Sequence, residues 1–243
     1  MRLINLKQAV FEANLALVKE GLIKLTWGNA SGIDRVKGLI VIKPSGISYD
    51  EMTPDDMAVL DLQGNVLESK LNPSSDTPTH LYLYQAFPAI GSIVHTHSGW
   101  ATSWAQACRD IPCLGTTHAD HFYGHVPCTR LLTPAEIQGH YELATGRVIE
   151  ERFSGINPLE IPGVLVAEHG PFCWGKTAAE AVKHAVILEE IAKMAFRTVM
   201  LGKDNPVQSA ILEKHYRRKH GPDAYYGQDI KNNHRDTEST EKR

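Results

Sequence analysis

The chain has 243 residues, 42% hydrophobic and 22% charged, which is enough for one large domain with a substantial core. A formal net charge of -3 argues against a nucleic-acid partner, although one small anion can still be held locally by backbone N–H groups and a lysine. No run stays apolar over the roughly 18 residues that a membrane span needs, so no membrane partner is expected.

In chain order, the first segment reads as a helix. Asn5 and Gln8 resemble a capping box, Leu6, Ala9, Val10, Ala13 and Leu17 form one face, and Gly21 ends it. Acidic and amide residues interrupt it where a signal peptide would need an apolar core. "LIKLTWGNASGI" and "GLIVIKPSG" read as two strands joined by a turn at 34–38. "TPDDMAVLDLQGNVLES" gives a Pro-started helical turn, then two strands around Gln-Gly-Asn.

"SSDTPTHLYLYQAF" begins a helix with Pro78 in its first turn, and "GSIVHTH" is a short buried strand. "TPAEIQGHYELATGRVIEERF" opens on a Thr133–Glu136 capping box, with Gly139 weakening the helix interior. "GVLVAEHGPFCWG" is a strand running into a turn. The clearest helix is "TAAEAVKHAVILEEIAKMAFRTVMLG", capped by Thr177 and Glu180, with Val182, Ala185, Ile191, Ala195 and Val199 inward.

Short turns between strands argue for an α/β fold: a single domain with a central mixed, mainly antiparallel sheet flanked by helices. That domain is expected over 1–228. Residues 229–243, "DIKNNHRDTESTEKR", have one apolar residue and are expected to form a disordered tail. Cys108, Cys113, Cys128 and Cys173 lack CxxC pairing, so free thiols in a reducing cytoplasm are expected.

Of twelve histidines, five fall between His95 and His125, a clustering that points to a site. His95 and His97 sit two apart on a strand and should share a face, with Thr96 opposite. Alone, a strand-borne His-x-His is a weak signal. His169, at another strand end, strengthens it, since three imidazoles plus an open position is a common catalytic zinc arrangement.

"NPSSDTPTH" offers Asp76 or Thr77 as a helix cap, with Ser74 and Ser75 in the turn. The same geometry makes an anion site. Gly28-Asn29 and Ser45-Gly46 are loop-forming pairs, and Lys43 lies near the second. Together they make a phosphate cradle if the fold gathers them. Asp120, among His118, His121 and His125, is either a general base or the partner of an imidazole. "EKHYRRKHGPDAYYGQ" is basic and aromatic; its bland reading is a solvated helix end with Tyr225 and Tyr226 packed on the body.

Eight strings in order, "LTWGNAS", "VIKPSGISY", "PSSDTPTHLYLYQAFP", "IVHTHS", "GTTHADHFYG", "VPCTR", "PGVLVAEHGPF" and "KHYRRKHGPDAYYGQ", resemble the L-ribulose-5-phosphate 4-epimerases of the class II aldolase superfamily. The resemblance covers nearly all of the chain up to Gln228. It implies interconversion of L-ribulose 5-phosphate and D-xylulose 5-phosphate by breaking and re-forming C3–C4. It further implies one divalent metal per subunit, zinc by the imidazole donor set, on His95, His97 and His169, with Asp76 beside it. Gly28, Asn29, Lys43, Ser45, Gly46, Ser74 and Ser75 match the family's substrate and phosphate loops. Asp120 and Tyr226 match its acid–base pair, and His215 a further active-site residue. The family forms a ring of four in which Asp120, His215 and Tyr226 reach a neighbour's metal, so a homotetramer with sites at subunit interfaces is implied. Sugar-phosphate aldolases of the superfamily usually carry glutamate where this chain has Asp76, which favours the epimerase. An adducin-like, non-catalytic domain is the third possibility, and the intact histidines argue against it.

Overall fold

The computed structural model describes residues 3–222, together with 224, 225 and 227. Tyr226, the expected boundary at 228 and the expected tail 229–243 lie outside the described residues.

Helix α1 (Leu3–Lys19) already runs at Leu3, so Asn5 lies inside it and is not a cap. Leu6, Val10, Ala13 and Leu17 are buried as their spacing demands. Gly21 follows the helix at φ +72°, a backbone geometry glycine reaches without strain. The next strand is shorter than "LIKLTWGNASGI" predicts. β1 (Gly28–Asp34) begins only at Gly28, because Trp27 N–H closes a turn on the Lys24 carbonyl (3.0 Å) and Leu25 takes a positive φ. Gly28 and Asn29 therefore open a strand and do not form a loop.

The remaining strands are β2 (Leu39–Ile42), β3 (Ala58–Asp61), β4 (Val66–Glu68), β5 (Ser92–Thr96), β6 (Gly163–Leu165) and β7 (Pro171–Gly175). They form one sheet in the order β4-β3-β2-β1-β5-β7-β6. Every strand pairing in it is antiparallel, and the parallel element is one isolated bridge, Cys128 to Leu165.

Alternation along β1 places a helix layer on each face. Gly32 lies against Leu6 and Val10 of α1, where a Cβ would come within 2.9 Å of Leu6. Its neighbour Ser31 turns the other way, its Oγ 2.7 Å from both His80 and Tyr84 of α2 (Thr77–Ala86). On the α1 side, α7 (Ala178–Met200) buries Val182, Ala185, Leu188, Ile191 and Ala195, and Thr177 Oγ1 accepts from Glu180 N–H as the capping pattern predicts. Each fully buried Val, Leu or Ile side chain there contributes roughly 1.5–3 kcal/mol.

The segment read as one helix from Thr133 is two, α5 (Pro134–Gln138) and α6 (Tyr141–Arg152). The Thr133–Glu136 box forms, but Gly139 takes a non-helical conformation and ends α5. The shorter helices are α3 (Gly99–Gln106), α4 (Thr116–Ala119) and α8 (Ser209–Arg217). Tyr225 is exposed, against the packing read for it. All four cysteines are free thiols; Cys108 is exposed and the other three are buried. Among the described residues no helix is long and apolar enough to cross a membrane.

Candidate metal and phosphate site

The antiparallel register puts Asn29 of β1 opposite His95 of β5, and His95 opposite Phe172 of β7. The first residues of β1, the last of β5 and the turn entering β7 therefore meet at one end of the sheet. His97 leaves β5 there, and His169 enters from the β6–β7 turn. Their ligand atoms lie within 4.8 Å of one another.

Close backbone approach makes this possible. A Cβ on Gly170 would sit 2.9 Å from the Thr96 carbonyl oxygen, and one on Gly28 would sit 2.7 Å from the His95 carbonyl oxygen. Glycine at both positions lets the turn and β1 close onto β5. His95 Nδ1 is 3.0 Å from the Pro171 carbonyl, which can only accept, so the proton is on Nδ1 and Nε2 is the free donor atom. That Nε2 lies 3.0 Å from Nε2 of His97.

Burial is the largest influence on all three imidazoles and holds each below its ordinary pKa, His95 furthest. In His97 and His169 the Asp76 carboxylate partly offsets this. Three neutral imidazoles offering lone pairs to one point fit a divalent cation.

Asp76 occupies the N-cap position of α2 but makes no side-chain cap bond. Its carboxylate instead accepts from Asn29 Nδ2 at 2.6 Å, and the same amide donates to Ser74 Oγ at 3.1 Å. The amide is thereby oriented, leaving Asn29 Oδ1 buried without a hydrogen-bond partner among the described residues. An unsatisfied acceptor beside the imidazoles also fits a site built for an added group. Asp76 is not one of the three residues of the tight ligand cluster.

The imidazoles form one wall of a cavity of about 590 Å³, which Asp76, Asn29 and Gly28 also line. Lys43, Ser45, Gly46, Ser74 and Ser75 line it too. Two loops supply these residues, joined by Ser45 N–H to the Asn72 carbonyl (2.8 Å) and Ser74 N–H to the Lys43 carbonyl (3.0 Å). The Lys43 ammonium donates to the carbonyls of Pro44 and Ile47, both 3.1 Å away, and lies 4.6 Å from the centre of the Tyr49 ring. Burial lowers its pKa to about 8. Hydroxyls, a positive-φ glycine and a buried cation suit a phosphate dianion.

Asp120 and His215 do not line this cavity. Asp120 accepts from Arg218 Nη2 (2.6 Å) and Arg218 Nε (2.9 Å), and lies 3.0 Å from His215 Nδ1 and 3.2 Å from Lys219 Nζ. Burial pushes its carboxyl up, but the bonds from Arg218, His215 and Lys219 outweigh this and set it at about 2. Among the described residues the carboxylate is thus held by the distant His215 and two cations, and not by the neighbouring imidazoles of His118, His121 or His125. His118, His121 and His125 do not line the cavity either, so of the five clustered histidines two do, His95 and His97.

Sequence reasoning missed several residues of the cavity. Thr26, Trp27, Tyr141 and Glu142 line it, with Trp27 54% exposed at the rim. Behind Asp76, His80 is fully buried, and burial holds its imidazole neutral down to about 3. Tyr141 and Glu142 open α6, and an aromatic–acid pair in a helix's first turn carries no signal of its own.

An antiparallel sheet that gathers three imidazoles and an anion cradle in one cavity defines a candidate metal- and phosphate-binding α/β protein. The chain belongs to the class II aldolase and adducin N-terminal domain family, whose model matches residues 8–196. Among its relatives, the L-ribulose-5-phosphate 4-epimerase UlaF of Salmonella paratyphi A is 56% identical over 226 residues, spanning 92% of this chain and 99% of that protein. Of solved structures, an L-fuculose 1-phosphate aldolase matches with a TM-score of 0.74 and 27% identity, covering 87% of this chain and 94% of that one. YgbL of Klebsiella pneumoniae has a similar fold, with a TM-score of 0.67 at 23% identity over 86% of this chain and 97% of that one.

Proposed function

We propose that the chain is a metal-dependent L-ribulose-5-phosphate 4-epimerase. The observation that carries this reading is the single cavity holding both a three-imidazole cluster and a lysine–serine cradle. Relatives at 56% identity over nearly their full length bear the same activity in their names.

The bond logic accounts for an aldolase-like site. The C4 hydrogen of a ketopentose 5-phosphate is not adjacent to the C2 carbonyl, so proton abstraction cannot invert C4. Breaking C3–C4 divides the sugar into an enediolate and glycolaldehyde phosphate; turning the aldehyde and re-forming the bond inverts it. His95, His97 and His169 would hold a divalent ion, zinc by the donor set, with Asp76 beside it. When bound, such an ion stabilises negative charge on substrate oxygens as a Lewis acid.

In this reading Lys43, Ser45, Gly46, Ser74 and Ser75 grip the phosphate, so the aldehyde fragment stays within reach between the two half-reactions. Gly28 and Asn29 contact the sugar. Asn29 Oδ1, without a partner among the described residues, can accept from a substrate hydroxyl. Asp120 and Tyr226 serve as the acid–base pair, with His215 supporting. Neither Asp120 nor His215 lines its own chain's cavity, which supports a site completed by a neighbouring subunit, in this reading within a homotetramer. The catalytic unit in this scheme is 1–228, working in the cytoplasm.

Incubation with L-ribulose 5-phosphate tests the reading. D-xylulose 5-phosphate is the expected product. Accumulation of free glycolaldehyde phosphate and dihydroxyacetone would make the chain an aldolase, and no turnover of any sugar phosphate would leave the adducin-like alternative.

A further inference from the structure

Backbone hydrogen bonds hold the His169 main chain but do not orient its ring. His169 N–H donates to the Val166 carbonyl (3.0 Å), and the preceding Glu168 N–H donates to the Ala105 carbonyl (3.0 Å). Neither bond decides how the imidazole is rotated or which nitrogen carries its proton. His95 has the Pro171 carbonyl for that purpose. Among the described residues, the hydrogen bond on the His169 ring is one to Tyr141, with 3.3 Å between the phenol oxygen and Nδ1.

Tyr141 is placed by the docking of α6 on α2. Thr79 Oγ1 donates to the Glu142 carbonyl at 2.6 Å, fixing the first turn of α6. One turn on, Gly146 lies so close to α2 that a Cβ would come within 2.8 Å of Tyr82 Cβ. Further along, the Tyr82 hydroxyl bonds the Glu150 carboxylate. Within α6, the Tyr141 carbonyl accepts from Thr145 Oγ1 at 3.0 Å. The phenol is therefore presented to the cavity by two interlocked helices, on the helix pair that carries Asp76. Its ring centroid is 6.1 Å from that of His169, at 38°.

We infer that Tyr141 is a positioning residue of the metal centre: its oxygen accepts the Nδ1 proton of His169 and so turns the Nε2 lone pair toward His95 and His97. This rests on the proposed metal site and adds to it the contact that sets the third ligand. A metal-ligating histidine commonly gives its other ring N–H to such a partner, and losing the partner typically weakens metal binding 10–100-fold.

Two measurements on the 243-residue chain test this. The first is zinc affinity by competition with a chromophoric chelator. Tyr141→Phe, which removes one oxygen and keeps the ring, should bind zinc at parent stoichiometry but roughly 10–100-fold more weakly. Gly146→Ala keeps the phenol but forces α6 away from α2, and should weaken zinc in the same direction. The second is long-range proton–nitrogen NMR on metal-free protein, with the His169 signals identified by their loss in His169→Asn. Parent His169 should be a single Nδ1–H tautomer, and Tyr141→Phe should convert it to a mixture. A role confined to stabilising the fold would leave that tautomer unmoved. Parent zinc affinity in Tyr141→Phe overturns the inference, whatever the spectrum shows. If the parent chain binds no zinc, the metal reading fails, and the tautomer alone judges Tyr141: no change in Tyr141→Phe overturns the contact.

Discussion

Two glycines near the cavity both have positive φ, yet the structure predicts very different costs for a single methyl group. Gly46, at φ +69°, has nothing within 4 Å of the position a Cβ would take. Gly46→Ala should therefore cost only the left-handed backbone penalty, about 1–2 kcal/mol. Gly28, at φ +141°, lies in a region that strains an L-residue by about 1–3 kcal/mol. Its Cβ would also sit 2.7 Å from the His95 carbonyl oxygen and 3.0 Å from Ile23 Cδ1. The nearer obstacle is backbone in the adjacent strand, so β1 or β5 must move, and overpacking of this kind adds about 1–3 kcal/mol. Gly28→Ala should thus lose about 2–6 kcal/mol in all. Because Asn29 pairs with His95 in register, the shift should also disturb the imidazole cluster. Urea unfolding of the metal-free variants measures the first effect through the midpoint at unchanged slope. Zinc titration measures the second, with Gly28→Ala impaired and Gly46→Ala at parent affinity. If the two variants unfold at the same urea concentration, the close approach of β1 to β5 is not what requires glycine at 28.

Chelation should abolish activity and zinc should restore it, while His97→Ala should lose most of its bound metal; full activity in metal-free protein would refute the proposed mechanism. Lys43 sets a pH dependence. Its ammonium, lowered by burial to about 8, is lost as pH rises past that value, whereas a phosphate monoester is already a dianion above its second pKa near 6. KM should therefore climb above about pH 8, and Lys43→Met should raise KM and flatten the rise; a parent profile unchanged to pH 10 would remove Lys43 from phosphate binding. Unfolding does not explain that loss, since a lysine at about 8 folded and 10.5 unfolded adds stability as pH rises between the two values. Mixing and reassembling His97→Asn with Tyr226→Phe should recover activity above either parent, because some shared sites then carry neither lesion. No recovery despite verified subunit exchange would confine each site to one chain.

Periodicity made much of the framework legible. The inner faces of α1 and α7, the Thr133–Glu136 and Thr177–Glu180 caps and the "GSIVHTH" strand depend on neighbours within a turn or a pleat, and such interactions are written locally. The helix break at Gly139 was only half legible, because the cost of one glycine can be absorbed or can end a helix depending on what packs around it. The donors of the site were also named from the chain: His95, His97 and His169 as a possible metal group, and the Gly-Asn, Ser-Gly and Ser-Ser pairs with Lys43 as a possible anion cradle.

Whether those pieces meet was decided by tertiary structure. Residues 29, 95 and 169 converge because β1, β5 and β7 are adjacent and in register, and the order of strands in a sheet is set by long-range packing that no local pattern encodes. The same physics set the partners of two carboxylates. Asp76 has a cap's position but points its carboxylate at Asn29, and Asp120, drawn into an ion cluster with Arg218, His215 and Lys219, lies off its own chain's cavity. Tyr141 was invisible in the sequence for a related reason. Its hydroxyl acquires a partner only when α6 locks onto α2, 28 residues away in sequence from the histidine it meets.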